Sequence, residues 1–231
     1  TSYNYTEGNP FLQPYFTENF ELSNTYKNWY TSIFYSYLTN AFDQVTYVST
    51  DNTNQIVKPY NFYKQNTIGL SENYTINKWK WLESTNQFYI YYTKTTSKIM
   101  ILIPNISSWT ASFSSNNSFN LNTKNTIKAE FNFMLQSPAV AGSYKTSSYS
   151  EFETGIRFLM LNKRLNLVLN VSDIFKTNKQ VFKQAVNDIK QEVYNYDDNQ
   201  KIRVSLTYNF GKSLEKEKRT QSNEEEKTRI K

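Results

Sequence analysis

The stretch Lys201–Gly211 reads KIRVSLTYNFG and alternates strictly between apolar and polar side chains. Its apolar positions are Ile202, Val204, Leu206, Tyr208 and Phe210. Alternation with a period of two predicts a β-strand with one apolar and one polar face. Such a strand crosses a bilayer when tilted, since about 9–11 residues suffice. Two interpretations are open at this point: a strand of a soluble sheet with one wet face, or a membrane-barrel strand between lipid and a lumen.

The same alternation recurs along the rest of the chain and predicts about nine strands in all. The other eight are Phe16–Tyr26, Trp29–Thr39, Asn66–Ile76, Trp81–Thr93, Trp109–Leu121, Thr126–Gln136, Phe152–Met160 and Leu165–Ser172. The two faces of Trp29–Thr39 are hard to separate because β-forming residues occupy both parities. Glu72, Ser115 and Asn117 interrupt faces that are otherwise apolar.

The predicted connections alternate in length. Tight turns fall near residues 27, 77, 123 and 163, and longer connections fall near residues 50, 100, 142 and 186. The segments predicted as long loops include Thr1–Pro14, Phe42–Pro59, Ser137–Ser147 and Asp173–Gln200. Short turns at one end and long loops at the other are typical of outer-membrane barrels, whose short turns are periplasmic. A soluble sandwich needs Greek-key connections and has no reason to sort its loops in this way.

The fold class that this pattern favours is all-β, an antiparallel up-and-down transmembrane β-barrel. Charges on the predicted polar faces agree with it, because a water-filled or plugged lumen accommodates them. These charges are Glu21, Lys128, Glu130, Glu153, Arg157 and Arg203. Aromatic residues make up 17% of the chain, which suits the interface girdles of a barrel. A soluble extracellular β-sheet binding protein stays the alternative, since a one-sided sheet also exposes charges to water.

The composition also limits the chemistry. The 231 residues contain no histidine and no cysteine, which removes the commonest general base, the commonest transition-metal ligand and any thiol chemistry. We therefore expect no enzyme and no catalytic, cofactor-binding or metal-binding residues. The net charge is +6, but no basic stripe interleaved with aromatics predicts nucleic-acid binding.

An odd number of strands is unusual for a single-chain bacterial barrel. We therefore expect residues 1–211 to be the C-terminal part of a larger barrel. Residues 212–231, KSLEKEKRTQSNEEEKTRIK, are mostly charged and have no apolar period. This composition predicts a solvated tail. Counting strands from the short periplasmic turns places the tail in the periplasm.

Several short segments resemble a known family. They are Gly8–Pro14 followed by Asn19–Leu22, Ile33–Tyr37, Val171–Phe175 and Leu206–Gly211, with the charged segment Glu224–Arg229. In order and spacing the chain resembles the C-terminal barrel portion of TonB-dependent-receptor-like outer membrane β-barrel proteins, the type common in Bacteroidetes.

The resemblance implies a barrel of about 22 strands with an N-terminal plug, ligand uptake through the barrel, and energy from a periplasmic TonB contact. Its partners would be outer-membrane lipid, the N-terminal strands and plug of the same protein, and TonB. The plug and the TonB-contacting segment are not among these residues, so a structural or assembly barrel without transport is a second interpretation. The resemblance also implies that Tyr208 and Phe210 form the terminal strand recognised during barrel assembly.

Overall fold

The computed structural model describes residues 3–48, 54–100, 103–186 and 189–210. These residues form fourteen β-strands: β1 (Tyr3–Thr6), β2 (Phe16–Tyr26), β3 (Trp29–Val48), β4 (Asn54–Ile76), β5 (Leu82–Ser97), β6 (Ile106–Asn120), β7 (Ile127–Gln136), β8 (Ala139–Ala141), β9 (Tyr144–Thr146), β10 (Tyr149–Met160), β11 (Leu165–Ser172), β12 (Gln180–Val186), β13 (Ile189–Asn195) and β14 (Lys201–Tyr208). The described part of the chain contains no helix that is long and apolar enough to cross a membrane.

Nine of the strands form one antiparallel meander, in the order β14-β11-β10-β7-β6-β5-β4-β3-β2. Each meander strand pairs with the meander strands that precede and follow it along the chain, as expected for an up-and-down sheet. The predicted all-β, antiparallel, up-and-down architecture is therefore confirmed. The sheet is open among the described residues: β2 and β14 are its two edges, and all their residues are exposed.

The register separates an apolar face from a polar face across the meander. On the apolar face, Leu22, Ile33, Leu70, Ile90 and Ala111 lie side by side on β2 to β6. Ala129, Ile156, Leu169 and Val204 continue that face on β7, β10, β11 and β14. On the polar face, Glu130, Gly155, Asn170 and Arg203 occupy the neighbouring row. Because side chains alternate along a strand, this register fixes the face of each meander residue wherever the pairing is regular.

The register also resolves β3, whose faces the sequence left mixed. Ile33 pairs with Leu70 on the apolar face, whereas Phe34 pairs with Gly69 on the polar face. A Cβ atom on Gly69 would lie 2.7 Å from Phe34 Cζ and 2.5 Å from Tyr91 Cβ. The glycine therefore makes room for two aromatic side chains on the polar face.

The segment Phe42–Pro59, which the sequence predicted as a loop, is largely strand. β3 continues to Val48 and β4 begins at Asn54, so that these two strands extend well beyond the length a bilayer requires. The register shifts between Leu38 and Phe42, where Asn40 has a φ of 54°. Asparagine tolerates this left-handed conformation, and the bulge lets the strand continue with a changed parity.

Three other predicted loops contain short strands. β1 lies within Thr1–Pro14 and pairs in parallel with β4. β8 and β9 lie within Ser137–Ser147, and β12 and β13 lie within Asp173–Gln200. These last four strands form a second sheet in the order β13-β12-β9-β8, which we call the loop sheet. Strands of three to seven residues give too short an alternation to be read from sequence.

The compact apolar core does not lie in the middle of the meander. It lies at the end that carries the long connections, where Ala41, Val45, Phe62, Tyr63 and Ile103 are buried together. Leu38, Tyr60 and Ile99 pack around this cluster. The strand extensions and the connection before β6 thus form a small packed body at one end of the sheet.

The chain leaves the meander at the opposite end. β14 ends at Tyr208, and the amide of Asn209 still donates to Arg164 O at 2.8 Å. Gly211, which the sequence placed at the end of this strand, and residues 212–231, which it assigned to a charged tail, lie outside the described residues.

The face assignment predicts opposite results for two neighbouring arginine substitutions in β7. Phe131→Arg puts a charge on the apolar face and, in a bilayer, is expected to destabilise the barrel by about 2–4 kcal/mol. Asn132→Arg puts the same charge on the polar face beside Glu153, its neighbour in the register, and should be tolerated. The measurement is heat-modifiable gel mobility of the outer-membrane fraction. Equal behaviour of the two variants would contradict the assignment.

Candidate functional site

The polar face of the meander carries most of the charge within the sheet. Arg157 lies opposite Lys128 in the register and forms an ion pair with Glu130, with 3.6 Å between Arg157 Nη2 and Glu130 Oε1. The predicted charges Lys128, Glu130, Glu153, Arg157 and Arg203 all occupy this face, as does Glu21 on β2. Glu21 accepts hydrogen bonds from Tyr30 and Ser32, each 2.7 Å long. The face is therefore a polar, charged surface.

Near the start of β10, an acidic group borders the polar face. Glu151 Oε2 accepts a hydrogen bond from Asn178 Nδ2 at 3.0 Å. Asp173 is fully buried, and its Oδ1 accepts from the amides of Thr177 and Asn178 at 2.9 and 3.1 Å. Asp173 therefore organises the turn that follows β11, as aspartate side chains commonly do. No group of acidic residues in the described ranges is arranged to hold a metal ion.

The loop sheet rests on the polar face. Thr95 Oγ1 donates to Gly142 O at 2.9 Å, and Thr110 Oγ1 donates to Pro138 O at 3.1 Å. Both threonines are almost fully buried. Their parity places them on the polar face of β5 and β6. The loop sheet thus covers the polar face at the end of the long connections.

A chain of hydrogen bonds fixes the loop sheet to the β3 extension. Asp43 Oδ2 accepts from Ser143 Oγ at 2.7 Å and from the Ser143 amide at 3.3 Å. Gln184 Nε2, from β12, donates to the same hydroxyl at 2.6 Å. Ser143 and Gln184 are both buried. Hydrogen bonds to a charged acceptor such as the Asp43 carboxylate contribute more than neutral ones, roughly 1.5–3 kcal/mol each.

Gly142 allows this contact to form. It has a φ of +61°, and a Cβ atom there would lie 2.9 Å from Asp43 Oδ2 and 3.1 Å from Tyr63 Oη. Burial, with the Asp43 charge as the next cause, raises the pKa of Tyr63 to about 12. The same two causes raise the pKa of Tyr144. Both phenols thus keep their protons at neutral pH beside the Asp43 carboxylate.

The apolar face carries exposed aromatic side chains near both ends of the meander strands. Trp79 and Trp81 stack in the turn between β4 and β5, with 5.9 Å between ring centroids. Trp29 lies at the same end, at the start of β3, and Trp109 lies near the other end, close to the start of β6. All four indoles are 46–65% exposed. Aromatic side chains in two such bands suit the two interfaces of a bilayer.

The polar residues that interrupt the apolar face are hydrogen-bonded to their neighbours. Trp29 Nε1 and Thr31 Oγ1 both donate to Glu72 Oε2, the latter at 2.7 Å. Ser115 Oγ donates to Asn86 Oδ1 at 2.7 Å, and Asn117 Nδ2 donates to Ser115 Oγ at 3.0 Å. Internal partners reduce the cost of polar groups at this face.

The two residues assigned to barrel assembly are both described. Tyr208 closes β14 opposite Leu165 on the apolar face. Phe210 follows the strand and is 88% exposed, with its ring in an edge-on contact with Tyr208 at 4.5 Å. The geometry brings the two rings together at the end of the edge strand, while their role in assembly stays a prediction.

The meander, its two chemically distinct faces and its sorted connections define the class of an outer-membrane β-barrel sheet. The model of the outer membrane protein beta-barrel family matches residues 1–208, and the chain belongs to that family. The protein is therefore an outer-membrane β-barrel protein, and the soluble alternative is wrong. No curated protein matches the chain, and no solved structure matches it.

The side chains that hold the loop sheet were not predicted from the sequence. Asp43, Ser143 and Gln184 come from segments predicted as loops, and 100 residues separate Asp43 from Ser143. The only local signal was Gly142 within the run Ala141–Tyr144, since glycine next to small and polar residues marks a tight turn.

Asp43→Ala should loosen the loop sheet. Removing the carboxylate leaves the Ser143 amide and hydroxyl without their acceptor, at an expected cost of about 1–3 kcal/mol. Hydrogen exchange of amides 139–146, measured on the full-length protein in detergent, should become about fivefold to a hundredfold faster. Gln44→Ala, at the exposed neighbouring position, is the control and should leave exchange unchanged. Equal exchange in Asp43→Ala and the parent protein would disprove the anchoring role.

Phe210→Ala tests the assembly role. If the assembly machinery recognises the terminal aromatic, the variant should reach the outer membrane in a smaller amount, seen as less heat-modifiable protein in that fraction. Phe175→Ala, which removes an exposed aromatic from the turn after β11, is the matched control. Normal insertion of Phe210→Ala would contradict a role for Phe210 in barrel assembly.

Proposed function

We propose that this chain is part of a TonB-dependent uptake receptor of the Bacteroidetes type, in which a ligand crosses the outer membrane through the barrel. The observation that carries the proposal is the charged polar face with a folded loop sheet resting on it. A polar face of this kind suits a lumen through which a hydrophilic solute passes. The loop sheet lies at the long-connection end, which is extracellular in outer-membrane barrels.

The direction of the strands supports a larger barrel. Neighbours in the meander are antiparallel, so the first and ninth strands, β2 and β14, run in the same direction. Direct pairing of these edges would create a parallel seam. Closure by antiparallel pairs alone requires an odd number of further strands between them, a condition that a barrel of about 22 strands meets. Lipid-exposed open edges are costly because their backbone groups have no partners in the bilayer.

The other parts of the receptor follow from this proposal. The remaining strands and a plug belong to the same full-length protein, and outer-membrane lipid contacts the apolar face. The short turns and the charged residues 212–231 lie in the periplasm, where TonB supplies energy. The barrel has no enzymatic role and no nucleic-acid partner.

A structural or assembly barrel without transport is the second candidate, because the polar face by itself does not require a moving solute. The gene sequence upstream of this chain distinguishes the two candidates. An uptake receptor should encode a plug and a TonB-contacting segment there, whereas a structural barrel should not.

In-cell cross-linking of the full-length protein to TonB tests uptake directly. A receptor should give a covalent complex with the summed mass of the two proteins, and this band should disappear in cells that lack TonB. A structural barrel should give no such band. Absence of the complex while the protein is fully inserted would overturn the uptake proposal and leave the barrel itself standing.

A further inference from the structure

A cavity of about 350 Å³ lies between the loop sheet and the connection that leads into β6. Its charged lining consists of Lys145 on β9, Lys183 on β12, and Lys190 and Glu192 on β13. Gln184 and Ile106 also line it. Ligand sites in proteins typically have volumes of about 300–1,000 Å³, so the cavity has room for a small solute.

The register of the loop sheet concentrates positive charge at this cavity. Lys183 lies directly opposite Lys145 on one side and opposite Glu192 on the other. Lys183 Nζ and Glu192 Oε1 form an ion pair at 2.9 Å. Lys145 and Lys190 form no ion pair with any residue the structure describes. Like charges directly opposite each other destabilise a strand pair. An anion bound here would therefore reduce the electrostatic repulsion between Lys145 and Lys183.

Lys183 is charged and accessible. The hydrogen bond and the charge of Glu192 raise the pKa of Lys183, so this ammonium keeps its proton. The Lys183 side chain is 55% exposed, and a solute can therefore reach it. Three ammonium groups and one carboxylate leave a formal charge of +2 around the cavity.

The wall behind these charges is held in place. Gln184 is buried and donates to Ser143, which in turn donates to Asp43 on the β3 extension. Gln184 Oε1 has no hydrogen-bond partner among the described residues. The hydrogen bonds from Gln184 through Ser143 thus join the cavity wall to Asp43 on β3.

We propose that this cavity binds the phosphate monoester group of a small solute at the extracellular end of the barrel. Charge complementarity favours this group, because a phosphate monoester carries about −1.5 to −2 at neutral pH and matches the +2 of the lining. A single carboxylate would neutralise only half of that charge. Lysine binds phosphate as a point charge and needs no bidentate geometry.

Calorimetric titration of the full-length protein in detergent with inorganic phosphate, at low ionic strength, tests the site. Saturable binding is expected, and Lys145→Gln should weaken it roughly three- to tenfold while leaving every ion pair of the loop sheet in place. Glu192→Gln should strengthen binding by a similar factor, because it removes the opposing negative charge. Lys176→Gln, at an exposed lysine between β11 and β12 that does not line the cavity, is the matched control and should change nothing.

A second arm identifies the source of the phosphate. Competition by phosphatidic acid in nanodiscs would assign the group to a lipid, whereas competition by a soluble sugar phosphate alone would assign it to a solute. Absence of saturable phosphate binding in the folded protein, or equal affinity of the parent, Lys145→Gln and Glu192→Gln proteins, would overturn the site. Binding is measured without transport, so this result is independent of the TonB cross-link.

Discussion

Backbone pairing of one continuous antiparallel meander determines which medium each side chain of the sheet faces. A bilayer supplies no partner for a backbone amide or carbonyl, so only closed pairing is stable within it. Once nine strands pair in sequence order, the register decides which side chain faces which medium. Leu70 and Ser71 are neighbours in the chain, yet the register places them on opposite faces of the sheet. A shift by one residue would exchange the faces.

The same pairing explains how much could be predicted from sequence. The alternation in β7 and β14 predicted their faces because every second residue there is apolar, and local information suffices for such a strand. The β3 and β4 extensions were missed because polar and charged residues such as Asp43 and Lys58 make these segments resemble loops in composition. These positions are strand because the two extensions pair with each other and carry the Phe62 core, a tertiary effect that propensity does not include.

The loop sheet was unpredictable for a related reason. It joins two short hairpins from separate connections, and its attachment depends on Asp43, Ser143 and Gln184 meeting across distant parts of the chain. The polar residues on the apolar face were visible in the sequence, but the hydrogen bonds that satisfy them were not. Glu72 interrupts the apolar face, but Trp29 and Thr31 both donate hydrogen bonds to its carboxylate. Polar residues on such a face are acceptable when neighbours satisfy them.

One face of this meander is expected to contact lipid while the other contacts water. A nitroxide scan along β7 tests this most directly, because the 231 residues contain no cysteine and each introduced one is unique among them. In bilayers, collisions with oxygen should peak at positions 127, 129, 131, 133 and 135, and collisions with a water-soluble nickel reagent at the even positions between them. Equal access of the nickel reagent to both parities would show water on both faces and contradict the account.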